Sequence, residues 1–334
     1  MSMKRLKYGI IGIGFFGEKH AEVLSGMPEV ELVALSTRRP DRLNSVAEKF
    51  NIPKRYTNYL DLLKDPEIEA VSIVTHVDQH ADMAVAALDA GKHVFLEKPM
   101  ADSIENGKRI VEAAKKANGK FMTGHICRFD SRMTEVKKTV ESGKIGKIVS
   151  IHATRNLPVN IGAEVLDKIS PIAGDGVHDT DLMLWLTQSQ ISSVYALSRN
   201  IHKHKNPDLG WVMYEFKSGA IGVLESIWML PENTPFKIDA RMEIIGTAGA
   251  IYVNAGNSGV QINDSTGFSQ PDTMYWPEVY GRRLGALYTE ISYFVNCVRN
   301  DLPITVITPA ESLAAVEAVM SAEKSCATGN KIIF

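Results

Sequence analysis

The first third of the sequence alternates short apolar runs with longer runs of helical pattern, and this alternation constrains the fold most strongly. The apolar runs cover residues 8–13, 30–36, 70–75, 93–97 and 120–124. They are apolar throughout rather than at every second position, which is typical of strands buried on both faces of a sheet. We therefore predict an α/β fold that begins with a parallel, doubly wound Rossmann sheet over residues 1–123.

The remainder of the chain has a different pattern. Its strand-like runs cover residues 149–155, 193–199, 211–216, 220–228, 240–246 and 251–254. Short glycine turns separate several of these runs, as in antiparallel hairpins. A chain of 334 residues is also too long for one ordinary core. We predict a second α/β domain over residues 124–334, with an open, mostly antiparallel sheet, for substrate binding and oligomerisation.

Charge and cysteine content exclude several classes of partner. The net charge is −2, so the chain lacks the basic excess that releases counterions from nucleic acid, and we expect no nucleic-acid partner. Cys127, Cys297 and Cys326 are widely spaced and form no metal-binding or disulfide pattern. No apolar run approaches the roughly 20 residues of a membrane helix, and the first strand begins too early for a signal peptide. We expect a cytoplasmic protein without membrane contact.

Residues 12–17 form a Gly-x-Gly-x-x-Gly sequence between the first predicted strand and a helix. In this context the pattern is typical of a dinucleotide-binding loop. Gly12 would make the tight turn, Gly14 would let the backbone approach the pyrophosphate, and Gly17 would let helix and strand pack closely. The helix N-terminus would then face the phosphates. We predict that these glycines, with Phe15 and Phe16, bind the cofactor.

The tip of the second predicted strand indicates which dinucleotide is bound. An Asp or Glu there would accept from the ribose 2′-hydroxyl of NAD and repel a 2′-phosphate. The sequence instead has Ser36, Thr37, Arg38 and Arg39. Two hydroxyls and two guanidinium groups suit a phosphate, so we predict NADP as the preferred cofactor, ahead of NAD. The alternative, that both arginines are solvated loop charges, stays open at this point.

A Glu97-Lys98-Pro99 sequence follows another strand, where Lys98 would point into the ligand crevice. The run Ala-Gly-Lys-His-Val-Phe-Leu-Glu-Lys-Pro at 90–99, the glycine loop, Gly-Val-His-Asp-Thr-Asp at 176–181 and the tail from Tyr288 resemble the glucose–fructose oxidoreductase/inositol dehydrogenase family. The resemblance covers essentially the whole chain. It implies a Rossmann domain, an open-sheet α/β domain, and NAD(P)-dependent oxidation or reduction of sugars, cyclitols and related compounds. It also suggests a cis Lys98–Pro99 bond.

The resemblance carries roles to particular residues. Lys98 and His178 would form the catalytic pair, and Glu97 would lie near the nicotinamide ribose. The family's Thr-Pro-Asn is here Thr75-His76 followed by valine, while the histidine three residues further on, His80, is kept. We predict that these three residues contact the cofactor, although the replacements put the contacts near the nicotinamide in doubt.

His178 lies among carboxylates at helical spacing. Asp175, His178 and Asp181 recur at three-residue steps, so each is on a face adjacent to the next. A carboxylate one turn from an imidazole holds it in a defined tautomer and makes it a competent acid or base. The family acid usually lies four residues before the histidine, where this chain has Gly174; either Asp175 takes the role or the role is lost. The three residues could also suggest a metal site, but proton transfer by lysine and histidine needs none, and we predict no metal.

The substrate is expected to contact Lys98, Asp175 and His178. Two arginines join this prediction: Arg128, which starts the second domain near the crevice, and Arg155, which ends a strand of its sheet. Sugars favour pockets that combine apolar or aromatic faces with hydrogen-bonding groups. Each arginine could equally be an interface or surface residue.

These observations together favour an NADP(H)-preferring dehydrogenase or reductase of a sugar, cyclitol or keto-sugar. Two alternatives remain open: an enzyme of the same family whose cofactor stays bound and is recycled, and a non-catalytic dinucleotide-binding regulator. The intact Lys98 and His178 count against the regulator. The open sheet resembles the face through which the family dimerises, so we expect a homo-oligomer, a dimer or a tetramer.

Overall fold

The computed structural model describes residues 4–256, 258–265 and 267–334. The chain divides into two compact units. The first contains residues up to Asp130 together with Met274–Leu313, and the second contains Ser131–Thr273 and Ala314–Phe334. We describe each unit separately.

The first unit is built on a six-stranded parallel sheet. Its strands are β1 (Leu6–Ile11), β2 (Val30–Ser36), β3 (Lys54–Tyr56), β4 (Ala70–Ile73), β5 (His93–Glu97) and β6 (Phe121–Gly124). Helices α1 (Phe15–Ser25), α2 (Pro40–Lys49), α3 (Tyr59–Lys64), α4 (His80–Asp89) and α5 (Ile104–Lys116) connect them, with 3-10 turns at Val77–Gln79 and Ile126–Phe129. Residues of β1, β2, β4 and β5 are almost all buried, as expected for central strands covered on both faces.

The strand order β3-β2-β1-β4-β5-β6 confirms the predicted doubly wound Rossmann sheet. The order reverses between β1 and β4, which are paired from Tyr8↔Ala70 to Ile11↔Ile73. In such sheets the carboxyl ends of the two strands at the reversal diverge and leave a crevice for a ligand. The crevice of this unit therefore lies beyond Ile11 and Ile73.

The second unit contains a seven-stranded sheet with helices. The helices are α6 (Ser131–Glu141), α7 (Val159–Leu166), α8 (Pro171–Gly174) and α9 (Gly176–Thr187). The strands are β7 (Ile148–Pro158), β8 (Ile191–Arg199), β9 (Leu209–Phe216), β10 (Ile221–Leu230), β11 (Asp239–Gly246) and β12 (Ala250–Asn254). A small hairpin follows, β13 (Ile262–Asp264) with β14 (Gly267–Ser269).

The order of the large sheet is β12-β11-β7-β10-β9-β8, followed by the C-terminal strand Ile332–Ile333. Only β7 and β10 pair in parallel, so the expected open, mostly antiparallel sheet is confirmed. Burial alternates along β9 and β11, which shows that one face of the sheet is covered and the other is open.

The chain returns to the first unit after the second sheet. This return segment, Met274–Leu313, contains β15 (Glu278–Val279), β16 (Arg282–Arg283) and α10 (Ala286–Arg299), and the start of α11 (Pro309–Thr328). Arg283 forms an ion pair with Glu22 of α1 at 2.7 Å. The first unit thus combines residues up to Asp130 with this late segment, because local patterns do not encode which unit a late segment packs against; the domain division at residue 123 stays a prediction. No helix in the described ranges is long and apolar enough to cross a membrane.

Candidate dinucleotide and proton-transfer sites

The glycine loop leaves β1 and enters α1 with a geometry that only glycine tolerates at two positions. Gly12 has φ +95°, and a Cβ there would lie 2.3 Å from the carbonyl oxygen of Val74. A Cβ on Gly17 would lie 2.0 Å from the carbonyl oxygen of Gly12. Gly12 thus makes the turn, and Gly17 lets the helix approach it, as the sequence predicts.

Gly14 is different, because a Cβ there would meet no atom within 4 Å. It precedes α1, whose first turn has no side-chain cap. Uncapped backbone N–H groups at the start of a helix of 11 residues bind phosphate oxygens well, because the helix dipole adds a partial positive charge. The space over Gly14 therefore fits the pyrophosphate of a dinucleotide.

A cavity of about 870 Å³ opens at this loop, within the first unit. Predicted cofactor residues line it: Gly12, Gly14, Ser36, Thr37, Arg38, Arg39, Thr75 and His76. Other lining residues were not predicted: Thr57, Asn58, Tyr59, Asp78, Gln79, Asp82 and Met83. These follow β3 and β4, so their position after strands of the parallel sheet is the signal that could have found them. Phe15, Phe16, Gly17, His80, Glu97 and Lys98 do not line this cavity.

Two arginines that follow β2 along the chain, Arg39 and Arg42, contact the glycine loop. Arg39 Nη2 donates to the carbonyl oxygen of Ile13 at 3.1 Å, and Arg42 Nε donates to the same oxygen at 3.2 Å. Arg42 also forms an ion pair with Glu18 of α1. Arg38 is exposed and lines the cavity. The strand-tip wall of the cavity is therefore cationic and carries no acid.

His80 faces backbone carbonyl groups. Its Nδ1 lies 2.8 Å from the oxygen of Pro99 and its Nε2 lies 3.2 Å from the oxygen of Thr75. The ring is buried, and this burial lowers the pKa of His80 below its ordinary value. It links the ends of β4 and β5, and the cofactor contact proposed for it stays a prediction.

Lys98 follows β5 directly and is partly exposed. The Lys98–Pro99 peptide bond is cis, as predicted. The preceding Glu97 is buried, and its carboxyl group lies 3.1 Å from Nε2 of the buried His20. The geometry thus turns Glu97 towards the interior of the first unit, while its expected position near a ribose is untested.

In the second unit, His178 lies in the first turn of α9. Its Nε2 is 4.0 Å from Oδ1 of Asp175, the residue at the N-cap position of that helix. A Cβ on Gly174 would lie 2.8 Å from the ring of Trp228, so this position has no room for the acid that the family usually has there. Whether Asp175 takes that role stays a prediction.

Both predicted substrate arginines are buried in ion pairs. Arg155 binds Asp179 of α9 through two hydrogen bonds, of 2.5 Å from Nε and 3.1 Å from Nη2. Arg128 Nη1 donates to the oxygen of Val306 at 2.7 Å and to Glu311 at 3.0 Å, both in the return segment. These contacts tie elements within each unit together, and substrate contact by either arginine stays a prediction. Among the described residues, no group of His, Cys, Asp and Glu has the geometry of a metal site.

A doubly wound sheet whose first loop opens onto an uncapped helix is typical of a dinucleotide-binding protein. Two family models match the chain: an oxidoreductase family with an NAD-binding Rossmann fold, over residues 6–125, and the GFO/IDH/MocA C-terminal domain, over residues 133–252. The chain belongs to the GFO/IDH/MocA family and is an NAD(P)-dependent oxidoreductase, which confirms the resemblance and the enzyme class predicted from the sequence.

Individual relatives cover nearly the whole chain. The chain is 29% identical to the myo-inositol 2-dehydrogenase of Thermotoga maritima, over 89% of this chain and 90% of that one. It is 28% identical to the scyllo-inositol 2-dehydrogenase (NAD(+)) of Bacillus subtilis, over 97% and 95%. A crystal structure of scyllo-inositol dehydrogenase from Lactobacillus casei, with bound NAD(H) and scyllo-inositol, matches the fold with a TM-score of 0.87 at 24% identity, covering 99% of each chain.

Proposed function

We propose that the chain is an NADP(H)-preferring dehydrogenase of a cyclitol or sugar, in which Lys98 and His178 handle the proton of the substrate hydroxyl. The observation that carries the proposal is the open space over Gly14 in a cavity whose strand-tip wall is cationic. The inositol dehydrogenases among the relatives support a polyhydroxylated ring as the substrate.

The preference for NADP(H) rests on the side chains from Ser36 to Arg39. Arg38 is exposed at the cavity, and Arg39 is held against the glycine loop by its hydrogen bond to Ile13. A 2′-phosphate would gain charge-assisted bonds from these groups, whereas residues 36–39 offer no carboxylate to accept from the 2′-hydroxyl of NAD.

Titration of cofactor fluorescence tests this preference. We expect NADPH to bind at least tenfold tighter than NADH, about 1.4 kcal/mol. Thr37→Asp should reverse the order, because the new carboxylate repels a phosphate and accepts from a ribose hydroxyl. If the unmodified protein binds NADH tenfold tighter than NADPH, the proposed role of the strand tip is wrong.

The chemistry needs a group that takes the hydroxyl proton and a group that polarises the same oxygen. The bound nicotinamide supplies the hydride acceptor or donor. His178, with Oδ1 of Asp175 at 4.0 Å from its Nε2, would exchange the proton, because an imidazole ring nitrogen can accept a proton and later give it back. Lys98, at the end of β5, would donate a hydrogen bond to the substrate oxygen. Both groups must then come within about 2.6–3.2 Å of that oxygen.

Substitution of the pair separates catalysis from cofactor binding. Lys98→Met and His178→Ala should each lower turnover by roughly 10²-fold or more, with little change in NADPH affinity, since the glycine loop is untouched. Near-normal turnover in either variant would exclude that residue as the proton carrier or donor. A panel of cyclitols and sugars, followed by the absorbance of reduced nicotinamide, tests the substrate class; no response to any member would favour a regulator.

We also propose that the chain forms a homo-oligomer through the open face of the large sheet. On β8 and β9, Tyr195 lies opposite Met213 and Leu197 lies opposite Trp211, and all four side chains are exposed. Contiguous exposed apolar side chains of this size are typical of a protein–protein interface.

A further inference from the structure

Buried hydrogen bonds connect β1, β4, α1 and β5 in the core of the first unit. Tyr8 Oη lies 3.0 Å from Ser72 Oγ, which lies 3.3 Å from His20 Nδ1. His20 Nε2 lies 3.1 Å from Glu97 Oε1. Tyr8, Ser72 and His20 are fully buried, and Glu97 is nearly so. In a low-dielectric interior each unmade bond of such a network is costly, so the network fixes the side chains that form it.

The network ends at the residue proposed to polarise the substrate. The backbone N–H of Lys98 donates to Glu97 Oε2 at 3.2 Å, while the other oxygen of Glu97 faces His20. His20 therefore fixes the Glu97 side chain, and Glu97 in turn accepts a hydrogen bond from the backbone of Lys98.

A second carboxyl group, Glu290 of α10, is buried in the same region. It has no exposed surface, and neither of its oxygens has a hydrogen-bond partner among the described residues. One turn later, the ring of Phe294 packs edge-on against Phe95 at 5.7 Å, and Phe95 packs against the ring of His20 at 5.4 Å. Burial, together with the charge of Glu97, raises the pKa of Glu290 well above its ordinary value.

Two carboxyl groups buried in one aromatic environment cannot both be ionised without a large cost. Each oxygen of Glu97 has a hydrogen-bond partner, whereas the oxygens of Glu290 have none among the described residues, so the geometry points to Glu290 as the protonated member of the pair. A neutral Glu290 leaves one negative charge beneath Lys98, and an ionised Glu290 would add a second.

We propose that His20 and Glu290 are positioning residues for Lys98: His20 holds the Glu97 carboxylate against the Lys98 backbone, and Glu290, by remaining protonated, keeps Glu97 as the single buried anion of the cluster. This inference rests on the proposed catalytic role of Lys98. Neither residue touches the substrate in this account, and both act through Glu97.

The test for His20 uses variants that keep its shape or its donor. His20→Phe keeps a ring between Phe16 and Phe95 but cannot donate to Glu97, whereas His20→Gln keeps a donor. We expect turnover to fall at least tenfold in His20→Phe and to recover partly in His20→Gln, with NADPH affinity within about threefold of the unmodified protein. His204→Phe, in an exposed loop of the second unit, is the matched control with normal turnover.

The proposal for His20 predicts that turnover falls while NADPH affinity stays nearly unchanged. Equal turnover in His20→Phe and the unmodified protein would overturn the proposal, as would a parallel loss of turnover and affinity in both variants. If His20→Phe does not fold, His20→Met replaces it in the same comparison. If Lys98→Met is fully active, the proposed function fails instead, whatever the His20 variants show.

Infrared spectroscopy of the full protein tests Glu290 without relying on activity. The difference spectrum between the unmodified protein and Glu290→Gln, at neutral pH, should contain the carbonyl band of a protonated carboxylic acid. The appearance of a carboxylate band in its place would show that Glu290 is ionised and would overturn its proposed role.

Discussion

The buried Arg155–Asp179 ion pair gives the sharpest test of the electrostatics of the second unit. It joins β7 to α9, the helix that carries His178, and both side chains are almost fully buried. Removing one partner leaves the charge of the other buried and unpaired, but the two cases are not equivalent. A carboxylate such as Asp179 can take up a proton and become neutral, whereas a guanidinium such as Arg155 cannot lose one. We therefore expect the two single variants to differ in the pH dependence of their stability.

Arg155→Met leaves Asp179 without its cation. Burial already raises the pKa of Asp179 above its ordinary value in the intact pair, and loss of the Arg155 cation raises it further. An acid whose folded pKa is raised costs stability as pH rises from its unfolded pKa, about 3.9, to its folded pKa. Each pH unit in this window costs about 1.4 kcal/mol. Relative to wild type, the variant should lose stability as pH rises from 4 to 7, by about 1.4 kcal/mol for each unit by which its Asp179 pKa exceeds that of the intact pair.

Asp179→Asn leaves a buried guanidinium that remains charged. Its cost should be about 3–5 kcal/mol at every pH from 5 to 8. Urea unfolding followed by tryptophan fluorescence, at one-unit pH steps, measures both variants. Arg241→Met is the control, because Arg241 is exposed in its ion pair with Asp239. That pair should contribute less than about 1 kcal/mol to the free energy of unfolding. A loss for Arg155→Met that is the same at pH 5 and pH 8 would refute the titration of Asp179.

The remaining predictions concern the glycine loop, Glu290 and the open sheet. Gly17→Ala should destabilise the first unit, because its Cβ would lie 2.0 Å from a carbonyl oxygen. Gly14→Ala should melt at the same temperature as the unmodified protein but bind NADPH about tenfold more weakly. Unchanged NADPH binding by Gly14→Ala would contradict the position proposed for the pyrophosphate. Glu290→Gln should gain stability relative to wild type as pH rises above about 4.3, because the raised pKa of Glu290 costs stability in that range, and a constant difference in urea titrations would argue against it. Trp211→Glu should shift sedimentation to a smaller species, and an unchanged species would exclude the β8–β9 face as the interface.

Much of the first unit could be predicted from the sequence because its determinants are local. Strand-like apolar runs and the glycine spacing are properties of adjacent residues, and they specify a parallel sheet with a phosphate loop. Gly12 and Gly17 are required by contacts within a few ångströms of the same turn and β4. The basic strand tip also follows from local order, since Arg38 and Arg39 come directly after β2.

The sequence was less informative where function depends on contacts between distant residues. His20 and Glu97 are 77 positions apart, and Arg128 and Glu311 are 183 apart, so no periodicity links them. Arginine is a residue type typical of substrate ligands, yet both of these arginines are buried and bind a carboxylate or carbonyl group of the protein. Residue type alone does not distinguish an arginine that binds a ligand from one that ties two elements together.

The sequence by itself determined the two sheets, the dinucleotide loop and the acids and bases available for chemistry, because these depend on periodicity and spacing along the chain. The tertiary structure decided which side chains share an environment. It returned residues 274–313 to the first unit, placed Glu290 without a partner among the described residues, and left no room beside Trp228 for an acid at residue 174. Burial and close packing are properties of the folded chain, and they set which of these groups hold a charge.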